Sequence, residues 1–366
     1  MNITYIFGNG FDIQLGLATR YSHFLQEYVK PLDSDSENIR AFKRYLQDGT
    51  NRELWSDAER AMGEHLGEFG NDTLNEYSER VSDFESRMIE YLEREQKKCS
   101  FDKPDKIKEV FTDFLRNSFE DVLVRRGHEI GVNGECGTNK YNFITFNYTY
   151  LLDKILECCI GSNAMIGTRL IGNTRYLDRA GKVCHVHGAL NSQIIMGVND
   201  ESQLNLDGGV TLSERLRRQL IKPALNAACR HSWDTDAQNL ISESHVIVIY
   251  GVSYGATDAV WWTGIQGWLR NDKNHKLVAF IRDPGTQYNR KLPWQEIDYE
   301  EDKRREVLLK LGVDPNSGVF AEMMEQTYVI VNTNRLNLKE LLLEKPKETA
   351  DDAAAAGSLE PVLSKT

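Results

Sequence analysis

Four short apolar runs in this chain each end in glycine or polar residues that a fully buried strand does not need, at 8–12, 147–149, 185–188 and 251–258. The first is Gly8-Asn9-Gly10-Phe11-Asp12. A Gly-x-Gly break between a strand and a helix suits a phosphate, because glycine carries no Cβ and the amides of a helix end can face an anion. It equally suits a plain strand-to-helix turn, since Ile13 stands where the dinucleotide fingerprint has its third glycine. Asp12 is placed either to cap that helix or to reach a ribose hydroxyl. Asn147 offers a ligand both a donor and an acceptor, or else an Asx turn capping the helix from Thr149. His187 is a proton acceptor near neutral pH or a hydrogen-bonded histidine at a strand end. His185 and His187 lie two apart and would share one face of a strand, but no third ligand is evident and no metal is expected. The loop Gly251-Val252-Ser253-Tyr254-Gly255 would lie against a ligand, and Asp258 stands where a helix should start, so its simplest role is the N-cap.

Other chemistries lack their patterns. Ser253 is not in a Gly-x-Ser-x-Gly elbow, and there is neither a Gly-x-x-x-x-Gly-Lys phosphate loop nor a His-Glu-x-x-His pair. Cys184, beside His185, reads as a buried inert thiol. A net charge of −11 argues against extended contact with a nucleic-acid backbone. The six cysteines show no Cys-x-x-Cys spacing, the N-terminus has no secretory pattern, and no run approaches the roughly 18 apolar residues of a membrane span. A cytoplasmic location is expected.

The elements that must position these tips are legible from periodicity. Strands are expected at 3–7, 142–146, 183–188, 245–250, 276–281 and 327–331, and helical spacing at 21–29, about 72–98, 151–156, 211–243, 259–269, 301–311 and 336–343. Strands alternating with helices predict an α/β fold with a mostly parallel, Rossmann-like sheet. A ligand would then sit beyond the carboxyl ends of its strands. The expected organisation is a nucleotide-binding domain of 1–32 plus 127–345, a helical insertion at 33–126 after the first strand and helix, and a disordered tail at 346–366. The insertion would cap the crevice or form a homo-oligomer interface.

Six motifs together resemble the bacteriophage abortive-infection AbiH family: Gly8-Asn9-Gly10-Phe11-Asp12; Trp55 with Glu59; Phe146-Asn147-Tyr148-Thr149; His185-Val186-His187-Gly188; Gly197-Val198-Asn199-Asp200; and the run from Tyr250 through Asp258. That family in turn resembles sirtuin-type NAD-binding domains. The resemblance implies that the glycine turn holds the phosphates of NAD, that Asn147 works at the nicotinamide ribose, and that His187, followed by Gly188, acts as a base at the ribose hydroxyls. Thr149 stands where the sirtuin motif has Asp, and the sirtuin cysteine zinc site has no counterpart. The expected catalytic residues are Asn147 and His187. The expected cofactor-binding residues are Gly8, Asn9, Gly10, Phe11, Asp12, Gly188, Gly251, Ser253 and Asp258. The expected activity is NAD hydrolysis in antiphage defence, with a phage-derived trigger; the alternatives are a nucleotide-sensing module that recruits a partner, or a nuclease-type toxin.

Overall fold

A computed structural model describes residues 1–48, 55–123, 127–134, 136–285 and 291–343, so the expected tail lies outside the described residues. The frame is a seven-stranded sheet in the order β3-β4-β2-β1-β5-β6-β7. Its strands are β1 (Asn2–Phe7), β2 (Asn139–Thr145), β3 (Met165–Ile171), β4 (Thr174–His185), β5 (Val246–Tyr250), β6 (Lys276–Ile281) and β7 (Thr327–Val331). All neighbours are parallel except the edge pair β3–β4. The parallel strands therefore lie in the order β4-β2-β1-β5-β6-β7. The chain starts in the middle, builds one half outward, then crosses over to build the other, and the order reverses between β1 and β5.

The central strands are buried on both faces, which explains their continuous apolar sequence. Ile3, Tyr5 and Phe7 of β1 enter one core together with Phe143, the helix Pro104–Asn117 and the helix Leu151–Cys159. Ile6 points the other way, into a core shared with the helices Trp233–Ser242 and Ala259–Asn271. After the short helix Gly10–Gln14, four longer helices lie before Pro104–Asn117 among the described residues: Tyr21–Tyr28, Glu37–Asp48, Trp55–His65 and Leu74–Gln96. They contribute to a third core around Phe24, Phe42, Tyr77 and Phe84. Met196, Val198, Leu216, Leu220 and Ile221, from the segment after β4, complete that core. The helical layer is thus held by two stretches far apart in the chain.

Three expectations change. The strand expected at 183–188 begins at Thr174 and stops at His185, and its antiparallel partner β3 was not anticipated. Leu170 and Leu177 of this hairpin are exposed, so its residues lack the apolar run of a buried strand. The single helix expected at 211–243 is three helices, Glu214–Leu220, Lys222–Cys229 and Trp233–Ser242. The first break is set by Pro223, which supplies no amide for a continuing helix, and the second by Arg230 in a left-handed conformation (φ +57°). The helix expected from 301 starts earlier, at Pro293.

Candidate functional site

The strand tips on the carboxyl side of the sheet surround a cavity of about 770 Å³, which falls within the usual range for small-molecule sites. Gly8, Asn147, His187 and Tyr250, from the tips of β1, β2, β4 and β5, all line it, as does Arg282 after β6. The cavity therefore opens where the strand order reverses, as ligand sites do in open α/β sheets.

The glycine turn is built by its neighbour. The Gly8 amide donates to the Tyr250 carbonyl (3.0 Å) and the Gly10 amide to the Gly251 carbonyl (2.7 Å). A Cβ on Gly10 would lie 2.5 Å from Gly251 Cα, and Gly251 itself needs φ +66°. Glycine at these positions lets two strand tips touch backbone to backbone. The two amides are committed to that clasp. Asn9 is also engaged locally, donating to the Thr19 carbonyl (2.7 Å) and accepting from the Thr19 hydroxyl (2.6 Å).

Asp12 lies just beyond the clasp, on the helix Gly10–Gln14, and is 2% exposed. Its side chain neither caps that helix nor stands alone. Asn147 Nδ2 donates to one carboxylate oxygen (2.9 Å) and the Thr149 hydroxyl to the other (2.7 Å). Burial pushes the Asp12 carboxyl up to about 7, against the pull of the Thr149 and Asn147 bonds. The Asx cap considered for Asn147 does not form: the helix Leu151–Cys159 has no side-chain cap, and Asn147 reaches across to Asp12 instead. Its other amide atom, Oδ1, is buried without a hydrogen-bond partner.

The opposite wall is ionic. His187 Nε2 sits 3.0 Å from Asp258 Oδ1, close enough for each to bias the other's charge. The ring lies near Phe146 and Tyr148, with centroids 5.3 and 6.1 Å away. Asp258 occupies the N-cap position of Ala259–Asn271 but makes no capping bond. Its carboxylate instead accepts from Lys222 Nζ (2.9 Å), and Lys222 also donates to Glu59 Oε2 (2.9 Å). The Thr257 hydroxyl (2.5 Å) and the Gly197 amide (3.4 Å) complete the Glu59 shell. Burial would raise Asp258, but Lys222 and then His187 outweigh it and hold the carboxyl well below the usual range. For Glu59 burial wins and the carboxyl is raised, in spite of Lys222. Burial opposes the charge on Lys222, which Asp258 and Glu59 together keep raised.

Of the residues expected from sequence, Asn147, His187, Gly8, Asn9, Gly10, Asp12, Gly251, Ser253 and Asp258 line the cavity together. Phe11 does not. It is fully buried in the core, 4.7 Å from the Phe7 ring. Gly188 also lies outside the lining and turns the chain at φ +71°. His185 and His187 do not act as a pair, because β4 ends at His185 and that ring bonds Asp153 Oδ2 (2.9 Å). The Cys184 thiol is pushed up to about 12 by burial, as an inert core thiol should be. Sequence reasoning gave no role to Glu59, Lys222 or Thr257. Glu59 carried a signal, as part of the Trp55–Glu59 motif; Lys222, lone between Ile221 and Pro223, carried almost none. Lys222 is positioned by its own amide, which donates to the Val198 carbonyl (3.0 Å), so Gly197-Val198 brings both partners of the ion pair together.

A sheet whose tips enclose a buried amide-bonded carboxylate on one side and a buried lysine–carboxylate–histidine cluster on the other defines an α/β protein with a candidate ligand cavity at its strand tips. Residues 4–280 match the model of the bacteriophage abortive infection AbiH family, and the chain belongs to that family. No curated protein matches it. Among the described residues no helix is long and apolar enough to cross a membrane.

Proposed function

We propose that this protein binds NAD in the strand-tip cavity and hydrolyses its nicotinamide–ribose bond in response to phage infection. The observation that carries the reading is Asn147: it lines the cavity, its amide nitrogen is fixed on Asp12, and its Oδ1 is a buried acceptor with no partner among the described residues. Buried acceptors are normally satisfied, and a sugar hydroxyl would satisfy this one. The order β4-β2-β1-β5-β6-β7 is, strand for strand, that of Rossmann-like dinucleotide-binding sheets, which supports a dinucleotide as the ligand.

The chemistry follows from the leaving group. Nicotinamide departs from NAD as a neutral base, taking the C–N electron pair and needing no proton. What remains is an oxocarbenium-like ribose, which Asp12 as a carboxylate would stabilise and Asn147 would orient. Water then forms the new C–O bond, and neutral His187 accepts its proton, becoming an imidazolium that the Asp258 carboxylate would stabilise. Asn147 adds no positive charge beside the developing cation.

A sensing role is favoured by a separate observation. The last turns of the helix Leu74–Gln96 hold two tips of the site: Glu95 accepts from the Ala18 amide (3.0 Å), Tyr91 donates to the Ala18 carbonyl (2.6 Å) and Gln96 accepts from the Tyr150 amide (3.4 Å). Occupancy of the cavity would be felt by the helical layer. In that reading nucleotide binding changes a surface that a partner meets.

The deciding measurement is nicotinamide release from NAD by purified protein, with and without phage components. Release that disappears in Asn147→Ala, together with loss of protection of cells, is the expected result. No release under activating conditions, with Asn147→Ala still protective, removes hydrolysis and leaves sensing.

A further inference from the structure

The cavity wall also holds four cationic side chains, Arg20, Arg282, Lys303 and Lys310. Two are already neutralised. Lys303 pairs with Asp283 (3.0 Å) and Glu306 (3.1 Å), and Lys310 pairs with Glu306 (2.7 Å). Arg20 and Arg282 form no ion pair among the described residues, although acidic residues outnumber basic ones by 55 to 44 in the chain. Arg20 directly precedes the helix Tyr21–Tyr28, on the glycine-turn side. Arg282 directly follows β6 and lines the cavity together with Tyr250 of β5.

The glycine turn offers an anion little. Its Gly8 and Gly10 amides are spent on Tyr250 and Gly251, and the helix behind it spans only Gly10–Gln14. A phosphate in this cavity must therefore find its charge partners elsewhere on the wall. We propose that Arg20 and Arg282 are those partners, and that they select a ligand of the nucleoside diphosphate class over an uncharged nucleoside. This rests on the nucleotide reading of the same cavity. Guanidinium groups suit the task, since each presents a planar fork of donors to phosphate oxygens.

Calorimetric titration of the full chain with ADP and with adenosine tests this, and both arginines are exposed, so substituting them leaves the core intact. Wild-type protein is expected to bind ADP more tightly than adenosine. Arg20→Gln and Arg282→Gln should each weaken ADP binding by about tenfold or more and leave adenosine binding and the melting temperature unchanged. Arg282→Lys should retain some of the ADP affinity. If both Gln variants bind ADP as wild type does, or wild type does not distinguish ADP from adenosine, the anion wall is wrong while the nucleotide cavity stands. If wild type binds neither ADP, adenosine nor NAD, the nucleotide reading itself falls, and this inference with it.

Discussion

Asp12 and Asp258 face one cavity from its two walls, and both are carboxylates taken out of water, yet their surroundings drive them in opposite directions. Asp12 receives two neutral donors, Asn147 and Thr149, and burial still pushes it up to about 7. Asp258 receives a buried ammonium and a neighbouring imidazole, and is held well below the usual range. At Asp12 the neutral hydrogen bonds offset only part of the lost hydration, whereas at Asp258 the neighbouring opposite charges more than offset it. The contrast matters for function, because a site with two carboxylates of separated acidity can hold one charged while the other exchanges a proton near neutral pH.

The comparison breaks most readily at Lys222. Replacing it with Met leaves Glu59 and Asp258 buried without their cation, and should destabilise the protein by about 3–5 kcal/mol in urea unfolding. A loss below about 1 kcal/mol would mean that the cluster is not organised by this lysine. Asp12 comes next. Its pKa is raised on folding from 3.8 to about 7, so its contribution to stability is complete below pH 3.8 and is lost as pH rises through about 7. The loss should amount to a few kcal/mol. Asp12→Asn should remove that slope, and unfolding curves at a series of pH values would show whether the difference from wild type grows between those limits.

Asp258 works on the other side of the curve. Its pKa is lowered on folding, so its stabilisation is present above pH 3.8 and is lost as pH falls further. Asp258→Asn should therefore be less stable than wild type at pH 7, with the gap closing only in acid. A gap that closes near pH 7 would show that the two walls are not electrostatically distinct. Asn147→Ala removes one donor from a buried carboxylate and should cost about 1.5–3 kcal/mol. It should also move the Asp12 titration, followed by carbon-13 NMR, to still higher pH. The smallest effect on stability is expected for His187→Ala, since Asp258 keeps its bond to Lys222; melting temperature and ligand affinity should change little while nicotinamide release stops.

Gly10 is a poorer probe of the ligand than its sequence suggests. Since Gly251 fills the space beside it at 2.5 Å, Gly10→Val would force the β1 and β5 tips apart before it reported on binding. The Gly-x-Gly pattern was readable, but its reason was not, because a sequence does not say whether a glycine is short of a side chain for a ligand or for a neighbouring strand. Strands β1, β5, β6 and β7 were readable for a firmer reason. Their residues are buried on both faces, so each is a short apolar run between polar ends. The β3–β4 hairpin, with exposed leucines, had no such run. Asn147 and His187 stood out because a polar residue at the end of a buried strand has few reasons to be there.

The sequence alone thus determined the alternation of strands and helices, the four polar tips and the motifs that place the chain in its family, since each of these is a local pattern of apolar spacing or residue type. The tertiary structure decided who pairs with whom. Glu59 and Lys222 are 163 positions apart, and Asp12 and Asn147 are 135 apart. No periodicity encodes such partners: Asp12 meets Asn147 because β1 pairs with β2, and Glu59 meets Lys222 because the helical layer packs against the segment after β4. Burial raises both carboxyls, and it is the Lys222 ammonium with His187 beside Asp258, against two neutral donors beside Asp12, that separates their acidities.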